Sequence, residues 1–136
     1  MADAGLIKKL GIKAGQRVVV INAPEGYLAR LEPLPEGVER AETPEGTFDV
    51  VHLFARDRAG LAAHGPVALG AVKPDGLLWI SYPKQSSRIA TDINRDAGWD
   101  VLNAAGYRPV TQIAIDDVWS ALRFRPVALV KPSRSS

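Results

Sequence analysis

The sequence predicts a single α/β domain, a three-layer sandwich whose mostly parallel sheet ends in an antiparallel hairpin. Three observations carry that reading. The runs Val18-Val19-Val20-Ile21 and Leu77-Leu78-Trp79-Ile80 are apolar without alternation, which marks strands covered on both faces. Helical spacing separates the strand-like runs, and a strand, a helix and a further strand make a right-handed parallel unit. Near the end, two strand-like segments flank the short connection Asp116-Asp117-Val118, so they pair as a hairpin.

Composition bounds what such a chain can do. At 136 residues it suits one domain, expected over 1–130 with a disordered tail at 131–136, and it can bury a core without staples. Hydrophobic residues at 46% and charged residues at 24% exclude a disordered chain. There is no cysteine, which removes disulfides and thiolate metal sites and fits a reducing cytoplasm. Two isolated histidines fall short of a metal site. No apolar run approaches the roughly 18–20 residues of a membrane span, and the N-terminus lacks a signal-peptide core. A cytoplasmic location away from membranes is the expectation. The net charge is +2 with the basic residues dispersed, which argues against nucleic acid as a partner.

Taken in order, Leu6, Ile7 and Leu10 are spaced for a short amphipathic helix that Gly11 ends. Arg17–Ile21 is a β-branched strand. After the loop Asn22-Ala23-Pro24-Glu25-Gly26, Tyr27 to Leu31 reads as one or two helical turns, with Pro24 in the first. Prolines 33, 35 and 44 break the following stretch and leave only Val38–Ala41 as a short strand. Phe48–Ala55 is a convincing strand. Asp57 caps a helix through Leu61 and Ala62, and Pro66 starts a second helical piece.

Lys73-Pro74-Asp75-Gly76 reads as a turn, in which proline presets φ and glycine supplies a positive φ. The central strand Leu77–Ile80 follows and turns abruptly polar at Ser81-Tyr82-Pro83-Lys84. Thr91 or Asp92 then caps a helix to about Ala105, with Ile93, Ala97 and Val101 inward and Gly106 as its stop. Arg108–Ile115 and Trp119–Val130 form the hairpin, and Lys131–Ser136 frays.

This order resembles the S-adenosylmethionine-dependent methyltransferases, a Rossmann-like fold. The likeness is most specific at Leu10-Gly11-Ile12-Lys13-Ala14-Gly15-Gln16-Arg17-Val18-Val19, with Phe48-Asp49-Val50-Val51 and Val72–Ile80 also similar to family motifs. From about Leu6 to Pro126 the chain is similar to a family of small bacterial proteins of unknown function, which implies a fold and no activity. The resemblance to methyltransferases implies S-adenosylmethionine as cofactor, held by a glycine-rich loop after the first strand and an acidic residue after the second. Here that loop is Asn22-Ala23-Pro24-Glu25-Gly26, where proline and Cβ atoms block close backbone approach. Only Glu39 or Glu42 stands where the acid belongs, and Thr43–Thr47 is too short for a covering helix. The expectation is a truncated methyltransferase-like topology with no cofactor, acting as a degenerate binding or interaction module. The alternatives are a methyltransferase with an altered loop and a structural protein that dimerises through a sheet edge.

In such a fold, groups past the strand ends gather at the carboxyl edge of the sheet. The candidates there are Asn22, Glu25, Tyr82, Lys84, Asp116, Asp117 and Trp119. Lys84 would be the cation for an anionic ligand, Glu25 would repel one, and Tyr82 or Trp119 would supply a flat wall. Ser86, Ser87 and Arg88 form an anion loop if a helix N-terminus follows closely. Each has a structural explanation as well, since Asp57 caps a helix and Asp116-Asp117 is ordinary turn chemistry. His52 lies inside a strand and His64 at a helix break, with no serine or cysteine nucleophile signature beside either, so histidine catalysis is not expected. Adjacent Asp116 and Asp117 on an extended chain point opposite ways and make no acid–base pair. The partner is an unidentified small molecule or protein.

Overall fold

Six strands form one sheet in the order β2-β1-β3-β4-β6-β5, in a computed structural model that describes residues 4–32, 34–94 and 97–129. They are β1 (Arg17–Ile21), β2 (Glu39–Ala41), β3 (Phe48–Phe54), β4 (Val72–Pro83), β5 (Tyr107–Ala114) and β6 (Trp119–Pro126). β1 pairs in parallel with β2 and β3, and β3 with β4, whereas β6 is antiparallel to both β4 and β5. The strands β1 to β5 therefore all run one way, and β6 alone runs back.

The unbroken apolar runs are explained by cover on both faces. Val19, Val51, Leu53, Leu78 and Ile80 pack with Leu61 and Ala68 of α3 (Arg58–Ala71) and Leu102 of α4 (Asp100–Ala104). Their neighbours Val18, Val50, Phe54 and Trp79 point the other way, against Leu6 and Leu10 of α1 (Ala4–Leu10) and Tyr27 of α2 (Tyr27–Arg30). Trp79 is 2% exposed. Its indole N–H donates to the carbonyl of Leu10 at 2.9 Å, which satisfies a helix-end acceptor and ties α1 to the sheet.

Several expectations are corrected. The turn at Lys73–Gly76 lies inside β4, as a bulge between the pairs Phe48↔Val72 and Val50↔Leu77. Asp75, not Gly76, takes the positive φ, at 55°, a conformation aspartate tolerates better than most side chains. Gly76 is needed for space, since a Cβ there would sit 3.2 Å from the carbonyl oxygen of Asp49. Arg125 grips the Asp75 carboxylate with two bonds of 2.8 Å, and this holds the carboxyl below its usual range. Asp49 is held down likewise, first by the backbone amide of Arg17 at 2.8 Å and then by Lys73 at 3.0 Å.

α3 is one helix with Pro66 inside it, not two pieces. Its N-cap is Asp57 as expected, accepting from the Gly60 amide at 2.8 Å. The helix expected from Thr91 or Asp92 shrinks to Asp100–Ala104. Asp92 instead accepts from the backbone amide of Arg58 at 2.7 Å and so serves α3, while Thr91 accepts from Ile93 at 3.1 Å. Gly98, at φ 101°, breaks the helical path. The part of that expected helix at 95–96 lies outside the described residues. Pro24 precedes α2, where Gly26 takes the N-cap position at φ 83°. After Pro126 the chain turns in a short 3-10 segment, Val127–Leu129, instead of continuing β6. Pro33, Val130 and the tail expected at 131–136 lie outside the described residues. Among the described residues no helix is long and apolar enough to cross a membrane.

The central place of Trp79 is testable by chemical denaturation. Trp79→Ala should cost about 3–5 kcal/mol, the range for emptying a large core site. Trp79→Phe, which keeps most of the volume but leaves the Leu10 carbonyl without its donor, should cost about 1–3 kcal/mol.

Candidate functional site

The carboxyl edge gathers the ends of β1, β3, β4 and β5, but the sheet divides what it gathers. Register decides this, because Pro83 lies opposite Trp119 and Tyr82 opposite Ser120. Trp119 falls on the α1/α2 side and meets Phe54 edge-on at 5.1 Å. Tyr82 and Ser120 fall on the α3/α4 side. The single cleft expected of Asn22, Glu25, Tyr82, Lys84, Asp116, Asp117 and Trp119 is thus split in two.

On the α3/α4 side an open cleft of about 470 Å³ is lined by Tyr82, Lys84, Ser86, Asn94, Gln112 and Ser120, with Gln85 beside them. Tyr82 is 4% exposed, and its ring packs edge-on to Trp99 at 5.4 Å. Its hydroxyl accepts from the Gln112 amide at 3.0 Å. The backbone N–H of Lys84 donates to the Val118 carbonyl at 2.7 Å and clamps this loop to the hairpin turn. The Lys84 ammonium has no ion pair or hydrogen bond among the described residues. Ser120 is 7% exposed, and its hydroxyl has no partner among them.

The anion loop is only partly assembled. Ser87 donates its hydroxyl to the Lys84 carbonyl at 2.7 Å and accepts from the Ile89 amide at 3.4 Å, so it shapes the loop. Arg88 is exposed and does not line the cleft. The helix N-terminus that was to complement this loop lies instead at Asp100. Of the three loop candidates, Ser86 lines the cleft.

Two smaller clefts adjoin Trp119. One, of about 340 Å³, bridges the carboxyl edge from Asn22, Pro24, Phe54 and Trp119 to Arg56 and to Gly60 and His64 of α3. Asn22 holds a left-handed conformation at φ 60°, which asparagine accepts in place of glycine. The other, of about 240 Å³, has Glu25, Tyr27, Arg30, Asp116 and Trp119 in its lining. Arg30 reaches Asp116 at 3.1 Å and the Ile115 carbonyl at 3.0 Å. The second oxygen of Asp116 accepts from the amides of Val118 and Trp119 at 2.8 Å each, so Asp116 builds the turn. Asp117 is exposed and lines none of these clefts.

The acids considered for a ribose stand elsewhere. Glu39 begins β2, level with Arg17 and ion-paired to it at 3.4 Å, at the opposite end of the sheet. Glu42 follows β2 at the right end but pairs with Arg40 at 3.0 Å, its side chain 80% exposed. Among the described residues, no cluster of histidine, aspartate and glutamate is placed to hold a metal ion.

A buried polar chain escaped the sequence reading. Tyr27 Oη lies 3.0 Å from His52 Nδ1, and His52 Nε2 lies 2.6 Å from Ser81 Oγ. His52 is 1% exposed and Ser81 fully buried. A neutral imidazole donates through one nitrogen and accepts through the other, and each hydroxyl can take either part. Burial pushes the His52 pKa down to about 3, so the ring is neutral. The signal available in sequence was a histidine inside an apolar strand and a serine just past another. The pair has a nucleophile–base look, but none of the three clefts reaches Ser81 or His52. His64, expected at a helix break, lies within the continuous α3.

Neither a family model nor a curated protein matches the chain. Solved structures do match it. DhpI in complex with SAH aligns with a TM-score of 0.60 and 16% identity, over 90% of this chain and 83% of that one. Ribosomal protein L11 methylase from Lactobacillus delbrueckii subsp. bulgaricus gives 0.53 and 13%, over 90% and 76%. A SAM dependent methyltransferase from Aquifex aeolicus gives 0.52 and 17%, over 89% and 87%. The chain has the methyltransferase-like, Rossmann-like α/β fold, and at these identities the likeness speaks to the fold alone.

The neutral His52 makes stability depend on pH with a definite sign. Its folded pKa lies below the ordinary value of 6.5, so unfolding takes up a proton below that pH. Stability should be fully present above 6.5 and fall as the pH drops toward about 3. The slope should approach about 1.4 kcal/mol per pH unit. Denaturant melts between pH 7 and pH 5 measure it, and in His52→Gln this part of the slope should vanish.

Proposed function

We propose that this protein is a non-catalytic small-molecule-binding module on a methyltransferase-like scaffold, which anchors an anionic group of its ligand on Lys84. One observation carries the reading. The cleft beside Tyr82 presents an ammonium without an ion pair, and its described lining contains no carboxylate. Lys84 is half-buried, so an anion meeting it is screened less than it would be in open water. On the α1/α2 side the balance differs, because Glu25 and Asp116 line one cleft and Arg30 is already paired.

The groups present do not fit S-adenosylmethionine. Its sulfonium is a cation, yet Arg56 lines the cleft at the ends of β1 and β3. No carboxylate in that cleft's described lining is available for a ribose, since Glu39 and Glu42 are paired elsewhere. Pro24, which has no N–H to offer, occupies the loop where backbone amides would have to approach. The absence of catalysis is supported by the sealing of Ser81 and His52 away from the clefts. The described lining of the Lys84 cleft holds the hydroxyls of Ser86 and Ser120 but no histidine or carboxylate beside them.

Isothermal titration with S-adenosylmethionine should give no saturable heat at micromolar concentrations. Saturable binding would favour a working methyltransferase instead. Phosphate or sulfate should raise the thermal midpoint of the wild type by mass action. The rise should be absent in Lys84→Ala, whose own stability should lie within about 0.5 kcal/mol of wild type. An undiminished rise in that variant would move the anion site elsewhere.

A further inference from the structure

We infer that the ligand of the Lys84 cleft is a small polyhydroxylated anion, a sugar phosphate or a sugar acid, not a nucleotide. The inference rests on the reading of that cleft as the binding site. Apart from its cation, the lining is built of neutral hydrogen-bonding groups. These are the amides of Gln85, Asn94 and Gln112 and the hydroxyls of Tyr82, Ser86 and Ser120. Amides and hydroxyls both donate and accept, as do the alcohol groups of a sugar. Ser120 sharpens the match, because it lines the cleft, is nine-tenths buried, and its hydroxyl has no partner among the described residues. A polar group in that state gains from any ligand hydroxyl that reaches it.

What the cleft lacks among the described residues is a flat apolar wall. Tyr82 is 4% exposed and its ring packs against Trp99, so it offers no open face. Trp119 and Phe54, the aromatic pair of the carboxyl edge, stand on the other side of the sheet. Nucleobases draw much of their binding from stacking on such faces. A volume of about 470 Å³ leaves room for a pentose or hexose with one charged group. Lys84 then takes the charge and the amides and hydroxyls take the ring.

Titration calorimetry of the full chain with glucose 6-phosphate, gluconate, glucose, inorganic phosphate and adenosine monophosphate tests this. Glucose 6-phosphate or gluconate should bind roughly tenfold tighter than either inorganic phosphate or glucose. Which of the two anions wins separates a phosphate ester from a carboxylate. Lys84→Ala should lose the binding. Ser120→Ala should weaken the sugar anion several-fold while leaving inorganic phosphate unchanged. Sugar anions that bind no tighter than inorganic phosphate would overturn the inference and leave the anion site standing. Tighter binding of adenosine monophosphate would overturn it in favour of an aromatic ligand. Heat from none of these anions would remove the Lys84 reading and the inference with it.

Discussion

The architecture of the carboxyl edge depends on the antiparallel pairing of β6 with β4, from Leu78↔Phe124 to Pro83↔Trp119. That pairing makes the return strand of the hairpin an interior strand, with Ala121, Leu122 and Phe124 buried, and leaves β5 as the exposed edge. Strand alternation then acts as a partition. Trp119 must go to one side of the sheet and Ser120 to the other. The bond from the Lys84 amide to Val118 holds the loop after β4 against the hairpin turn. Lys84 nevertheless lines the cleft on the Ser120 side of the partition, although its amide is bonded to the turn that carries Asp116 and Asp117.

Two polar links fasten the helices of the opposite face. The Trp79 indole holds the end of α1, and the Tyr27–His52–Ser81 chain holds the first turn of α2 across β3 and β4. Both satisfy groups that would be unfavourable if buried alone. The second has a consequence for the loop 22–26. Its exit is anchored by Tyr27, its entry uses the left-handed Asn22, and Pro24 lies between. This is an ordered route between β1 and α2 that needs no run of glycines. It also offers fewer backbone amides to a ligand than a glycine loop would.

The strands were legible because their signals are local. Unbroken apolar runs located β1, β3 and β4, and the polar Asp116-Asp117-Val118 located the hairpin. The sequence did not reveal which hairpin strand would join β4, and Tyr82 and Trp119 looked like neighbours for that reason. The helix after Lys84 misled in another way. Thr91 and Asp92 are good caps, and Ile93, Ala97 and Val101 have helical spacing, yet Asp92 bonds to Arg58 of a helix distant in sequence. Gly98, with its positive φ, interrupts the path. Propensity was overruled there by a tertiary bond and one backbone torsion. In the turn at Lys73–Gly76 the residue types were right and their roles exchanged, because Asp75 takes the positive φ while Gly76 is crowded by Val72, Lys73 and, from the next strand, Asp49.

The charges complete the contrast between the two ends of the sheet. At the amino end, Arg17 meets Glu39, Lys73 meets Asp49 and Arg125 meets Asp75. Such partly exposed pairs add little stability, but they cancel the field that each member would project. At the carboxyl end Arg30 is cancelled by Asp116, whereas Lys84 and Arg56 meet no carboxylate among the described residues. A net charge of +2 says little about where an anion would be drawn, since the local sum decides that. Arg56 is exposed and shares its cleft with the apolar Phe54 and Trp119. Lys84 is half-buried among neutral donors and acceptors. Its ammonium meets no carboxylate among the described residues, and the surrounding amides and hydroxyls can orient what its field attracts.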